Sequence, residues 1–147
     1  MNNQEMRKEM IEKMEKMDVL KEEFVKLQKA LDSFELDVDS YEDQYCDMLN
    51  EEGAISVAGL TFDPAYIVRE LDPTAYRCGL IDYVDGIDVS DDPKYKDLEE
   101  KIENLENEID DLEAEIEELE REREREREEE EEEREELTTT AHYAHQE

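Results

Sequence analysis

The sequence predicts a mainly α protein: two long amphipathic helices forming an antiparallel coiled-coil stalk, and a small α-rich head containing a short β-hairpin. Three observations lead there. Tyr95, Leu98, Ile102, Leu105, Ile109, Leu112, Ile116 and Leu119 recur at alternating steps of three and four, with charged residues at nearly every position between them. A second seam, including Met10, Met17, Leu20, Phe24, Leu27 and Leu31, runs near the start of the chain. Between them, residues 36–90 hold all four glycines and most of the aromatic side chains, a composition suited to a compact head.

The first seam puts Ile at heptad a and Leu at d over residues 93–120, a stripe too narrow for an ordinary globular helix and suited to another long helix. Ile at a with Leu at d favours a parallel dimer. The flanking charges oppose it, because Glu108 would meet Glu113 and Glu115 would meet Glu120 across such a pair. The amino-terminal helix, residues 3–34, is the better partner. Seven basic residues balance seven acidic ones up to Leu31, and Lys16 and Lys21 lie near its seam. Lys13 interrupts that seam where an apolar residue is due. A helix of 25 residues spans about 37 Å, enough for the two to lie side by side. Antiparallel order would put Leu31 near Tyr95 and Met10 near Ile116, so a monomer with an intrachain hairpin is expected over a parallel homodimer.

Within the head, Asp37 or Asp39 can cap a helix through Tyr41, Tyr45, Met48 and Leu49. Ile55, Val57, Leu60 and Phe62 around Ala58-Gly59 read as a very short β-hairpin, the alternative being a single extended connector. Each proline follows an aspartate: Asp63-Pro64, Asp72-Pro73 and Asp92-Pro93. An aspartate that caps, followed by proline at the first helical position, marks three helix starts near residues 64, 73 and 93. Gly86 is placed to end the second of these in the left-handed conformation, and small Ala75 and Gly79 permit close approach. The head core is expected from Ile55, Val57, Phe62, Ile67, Leu71, Tyr76, Leu80 and Tyr83. Residues 121–136 form an Arg/Glu low-complexity helix extension that should fray, because its spacing-four pairs carry like charge. Residues 137–147 are expected to be a disordered tail.

Charged residues make up 45% of the chain and the net charge is −32. That opposes direct nucleic-acid binding and attachment to anionic membranes, and it would steer a basic partner in at long range. No apolar run is long enough for a membrane span and the amino terminus lacks the hydrophobic stretch of a signal peptide, so a cytoplasmic protein is expected. Cys46 and Cys78 are expected as buried, reduced thiols. The aspartates from Asp82 to Asp92 faintly resemble a calcium loop but lack its alternate-residue pattern. His142 and His145 have no partner completing a metal site. Arg69 and Arg77 are expected to be tied to nearby carboxylates such as Glu70, Asp72 or Asp82 rather than to a bound anion. No phosphate loop, nucleophile elbow or Cys/His pair is present, so neither a cofactor nor an enzymatic activity is expected.

The stretch from Tyr41-Glu-Asp-Gln-Tyr to Val57-Ala-Gly-Leu-Thr-Phe, then Leu71-Asp-Pro-Thr-Ala-Tyr-Arg-Cys-Gly and Asp82-Tyr, resembles small acidic proteins of tailed bacteriophages. The resemblance covers about residues 40–88 and implies a phage origin and action in the bacterial host cytoplasm. It supplies no catalytic residue. The expected function is a non-enzymatic protein–protein interaction module displayed on a coiled-coil stalk, its partner an unidentified protein with a basic surface. The alternative is an acidic inhibitor that imitates nucleic acid and occupies a host DNA-handling protein.

Overall fold

The structure, a computed structural model, describes residues 2–145, His145 by its backbone alone. In chain order it holds helix α1 (Asn3–Asp32), a 3-10 turn at Val38–Tyr41, α2 (Glu42–Asn50), strands β1 (Ile55–Val57) and β2 (Leu60–Phe62), α3 (Pro64–Leu71), α4 (Pro73–Asp85), a second 3-10 turn at Val89–Asp91, and α5 (Pro93–His145). Two compact units result. One comprises the stretches through Ala30 and from Leu98 onward, the other Leu31–Asp97.

In the first unit α1 and α5 pair antiparallel, since rising numbers on one meet falling numbers on the other. Arg123 Nε donates to Asn3 Oδ1 at 2.9 Å, Lys13 Nζ lies 2.6 Å from Glu115, and Lys21 Nζ lies 3.7 Å from Glu113. Met6 and Met10 share a buried cluster with Ile116 and Leu119, and half-buried Met17 packs against it. The expected Met10–Ile116 proximity is therefore present. Ile102, Leu105, Ile109, Leu112, Ile116 and Leu119 are all buried, each such side chain worth about 1.5–3 kcal/mol of transfer free energy. On α1, Leu20, Phe24 and Leu27 are only half-buried. Asn2 and Glu5 form a reciprocal cap at the start of α1: Asn2 Oδ1 accepts from the Glu5 amide at 2.8 Å, and Glu5 Oε2 accepts from the Asn2 amide at 3.3 Å.

α5 does not stop at the end of its seam. It is a single helix from Pro93 to His145, so the expected disordered tail is corrected over residues 137–145, and the last two residues lie outside those described. Thr138, Thr139 and Thr140 are accommodated because each hydroxyl donates to the carbonyl four residues back, at 2.8–2.9 Å.

In the second unit, helix starts occur at Pro64, Pro73 and Pro93, as the Asp-Pro pairs predict. Asp72 accepts from the Ala75 amide at 3.0 Å, and Asp92 accepts from the Lys94 and Tyr95 amides at 2.8 and 3.4 Å. Asp63 makes no such bond. Its place is taken by Asn50, at the end of α2, whose Oδ1 accepts from the Ala65 amide at 3.0 Å. Gly86 is also a correction, with φ −82° rather than the left-handed region. The chain leaves α4 through a tighter turn, the Ile87 amide bonding the Val84 carbonyl at 2.9 Å, which brings Ile87 onto the core.

That core differs from the expected set. Tyr41, Tyr45, Tyr76, Leu80 and Val84 are its buried members, with Tyr83, Val68, Leu49 and Cys46 packed around them. Ile55 and Val57 are exposed, and Leu71 is 81% exposed. The core forms where α2 meets α4, and the hairpin contributes no buried residue to it. Gly79 makes that approach possible, since a Cβ there would lie 2.1 Å from the Tyr45 hydroxyl. Leu31, Phe34 and Tyr95 are half-buried in this unit, and the Phe34 and Tyr95 rings meet edge-on at 5.5 Å.

Candidate functional site

Two features of the head stand apart from ordinary packing. The first is a cleft of about 430 Å³ whose wall includes Tyr41, Gln44, Tyr83, Ile87, Asp92 and Lys94. Asp92 is the buried charged residue there, and it is fully engaged: Oδ1 takes the two α5 amides and Oδ2 accepts from the Tyr41 hydroxyl. The Tyr41 hydroxyl bond, together with those amides, holds the Asp92 carboxyl below the usual carboxylate range despite its burial. The same bond, and then burial, push the Tyr41 phenol up to about 12. A phenol held protonated and a carboxylate held ionised neither give nor take a proton near neutrality. Nearby, Tyr76 donates to Glu42 Oε1 at 2.8 Å and its oxygen lies 3.0 Å from Cys46 Sγ, leaving the thiol as the donor of that contact. Burial first, then these partners, raise the Tyr76 phenol. These phenols anchor carboxylates to the core.

The second feature is the hairpin. Ile55 pairs with Phe62, Ser56 with Thr61, and Val57 with Leu60. Cross-strand partners share a face and alternate residues switch faces, so Ile55, Val57, Leu60 and Phe62 lie together on one side of the ribbon. That side is apolar and open: Ile55, Val57 and Leu60 are 45%, 56% and 62% exposed. The turn puts Ala58 at φ 50° and Gly59 at φ 77°, the two positive values of a type I′ two-residue hairpin. Phe62 stacks on Tyr66, itself exposed, with ring centroids 6.2 Å apart and 8° between planes. The apolar strip therefore continues onto α3.

Other anticipated positions resolve differently. Arg77 pairs with Asp39 at 2.6 Å, not with the carboxylates close to it in sequence. Cys78 is exposed and Cys46 half-buried, so the expectation of two buried thiols is corrected. Asp88 accepts from the Ser90 amide and caps a 3-10 turn, a use that accounts for one of the aspartates in the Asp82–Asp92 run. Among the described residues no three His, Cys, Asp or Glu side chains are grouped to hold a metal, and no helix is long and apolar enough to cross a membrane.

Lys13 occupies the interrupted seam position of α1 and also contacts Glu9 at 3.8 Å, beside a groove of about 590 Å³ between α1 and α5. Its bond to Glu115 raises its pKa, against the effect of burial. The Asn2–Glu5 cap and the open hairpin face escaped the sequence reading. The first carries a legible signal, Asn-x-x-Glu before an amphipathic run. The second does not, because alternating apolar residues in a hairpin look the same whether the face is covered or bare. No family model, curated protein or solved structure matches this chain.

Proposed function

We propose that the chain is a non-enzymatic protein–protein interaction module, of the kind tailed phages place in the host cytoplasm, acting as a monomer through its head. The observation that carries this reading is the open apolar face of the hairpin. Four apolar side chains on one side of a two-stranded ribbon, continuing onto an exposed tyrosine, form the sort of patch that marks a contact surface on a soluble protein. The phenol–carboxylate pairs support a structural role for the polar interior. Affinity capture from host lysate, at low and at high salt, tests it against the Val57→Ser/Leu60→Ser variant. A partner retained by the wild type at both salts and lost from the variant is expected. Equal retention by the two chains would contradict the reading.

A second reading draws on α5 itself. Glu128 to Glu133 are six consecutive exposed glutamates, giving about one negative charge per 1.5 Å of helix. Duplex DNA carries about one per 1.7 Å. This supports the nucleic-acid mimic, whose binding would weaken steeply with salt and compete with DNA. Capture that is abolished by high salt and displaced by added duplex would favour it over the hairpin contact.

A further inference from the structure

We propose that the occupant of the hairpin face is an amphipathic helix of a partner protein, with an apolar stripe flanked by Lys and Arg. This deepens the interaction reading above and rests on it. The dimensions of the face favour a helix. Three residues of strand extend about 10 Å, and the two strands lie about 4.8 Å apart. A helix with its side chains is about 10–12 Å across and rises about 5.4 Å per turn, so two turns cover Ile55, Val57, Leu60 and Phe62 together. An added strand would pair with one edge of the ribbon and leave those four side chains bare.

The charge comes from the surroundings. Glu51, Glu52, Asp63, Glu70 and Asp72 are all exposed in the segment that holds the hairpin and α3, against the single cation Arg69. The chain as a whole carries −32. A second copy would bring the same acidic segment and the same net charge onto the face, and an anionic membrane would be repelled in the same way. A helix with Lys and Arg beside its apolar stripe satisfies both requirements at once: it buries the face and is attracted by the acidic segment that carries it.

The test uses the full chain and two synthetic peptides of identical Leu/Lys composition. One places its leucines at helical spacing and the other is scrambled. Binding is read by fluorescence anisotropy at physiological salt, with the wild type and with Val57→Ser/Leu60→Ser. The amphipathic peptide is expected to bind the wild type at least tenfold more tightly than it binds the variant, and at least tenfold more tightly than the scrambled peptide binds the wild type. Amide chemical shifts of the unsubstituted chain should move at residues 55–66 on its addition, a readout that does not depend on how the variant folds. Shifts confined to Glu128–Glu133, or equal binding of both peptides to both chains, would overturn the proposal. If in that case the variant still loses the partner captured from lysate, the interaction reading survives and the basic helix alone falls. If the variant keeps that partner, both fall. A wild type that sediments as a dimer beside a monomeric variant would assign the face to a second copy and overturn the proposal as well.

Discussion

Leu80 and Leu71 are nine residues apart and occupy opposite environments, 1% and 81% exposed. Leu80→Ala is expected to cost about 2–5 kcal/mol through lost transfer energy and the cavity left behind. Leu71→Ala should stay within about 0.5 kcal/mol, as exposed substitutions usually do. Denaturant melts of the two variants check both. Tyr41 and Asp92 make a prediction in pH. The Asp92 carboxyl is held below its ordinary value, so its contribution is complete above that value and disappears as acid takes the pH through the lowered one. The Tyr41 phenol is raised to about 12 from 10.0, so its contribution is complete below the ordinary value and is lost as pH climbs between the two. Tyr45, raised chiefly by burial, and Tyr76 add to the alkaline limb. The contribution of these four groups to stability should therefore be flat around neutrality and fall at both extremes. Tyr41→Phe should cost about 1–3 kcal/mol, because it leaves one oxygen of a buried carboxylate without its donor. A melting temperature in that variant equal to wild type at neutral pH would show that the bond contributes nothing.

At the scale of elements, the strongest sequence signals are those with a local physical cause. The Asp-Pro pairs mark helix starts because proline fixes its own φ and needs no amide partner there, and all three starts are found. The α5 seam is legible for the same reason, since one side of a helix must recur at steps of three and four. What escapes is whatever depends on distant chain. Asn50 caps α3 from fifteen residues upstream, displacing Asp63 from that role. The core forms between α2 and α4, so Tyr41, Tyr45 and Val84 become its centre while Ile55, Val57 and Leu71 are left outside. Whether a hairpin is covered is a property of its neighbours, and no residue inside it records the answer. The last part of α5 carries its own prediction. Glu128 with Glu132 and Glu129 with Glu133 are like-charged neighbours, each unfavourable by a few tenths of a kcal/mol, about 0.2–0.5. Helical content by circular dichroism should rise with salt or with mild acid. An unchanged spectrum between low and high salt would show that repulsion does not limit the helix.

At the scale of the whole chain, the distribution of charge agrees with the direction in which it folds. The residues up to Leu31 are balanced, and the remainder carries the entire excess of carboxylates. Pairing the balanced helix with the acidic one places Lys13 and Lys21 opposite Glu115 and Glu113, whereas a parallel pair of α5 helices would set glutamate against glutamate. Such surface pairs contribute at most about 1 kcal/mol each, so they select the partner and direction while the apolar seam supplies the energy. The antiparallel return of α1 onto α5 is thus the claim on which the account depends. Its most direct test is a chain with Cys46 and Cys78 replaced by alanine and with Met10→Cys and Ile116→Cys introduced, crosslinked at low protein concentration. A crosslink formed within single chains is expected, and products found exclusively between chains would contradict the antiparallel hairpin.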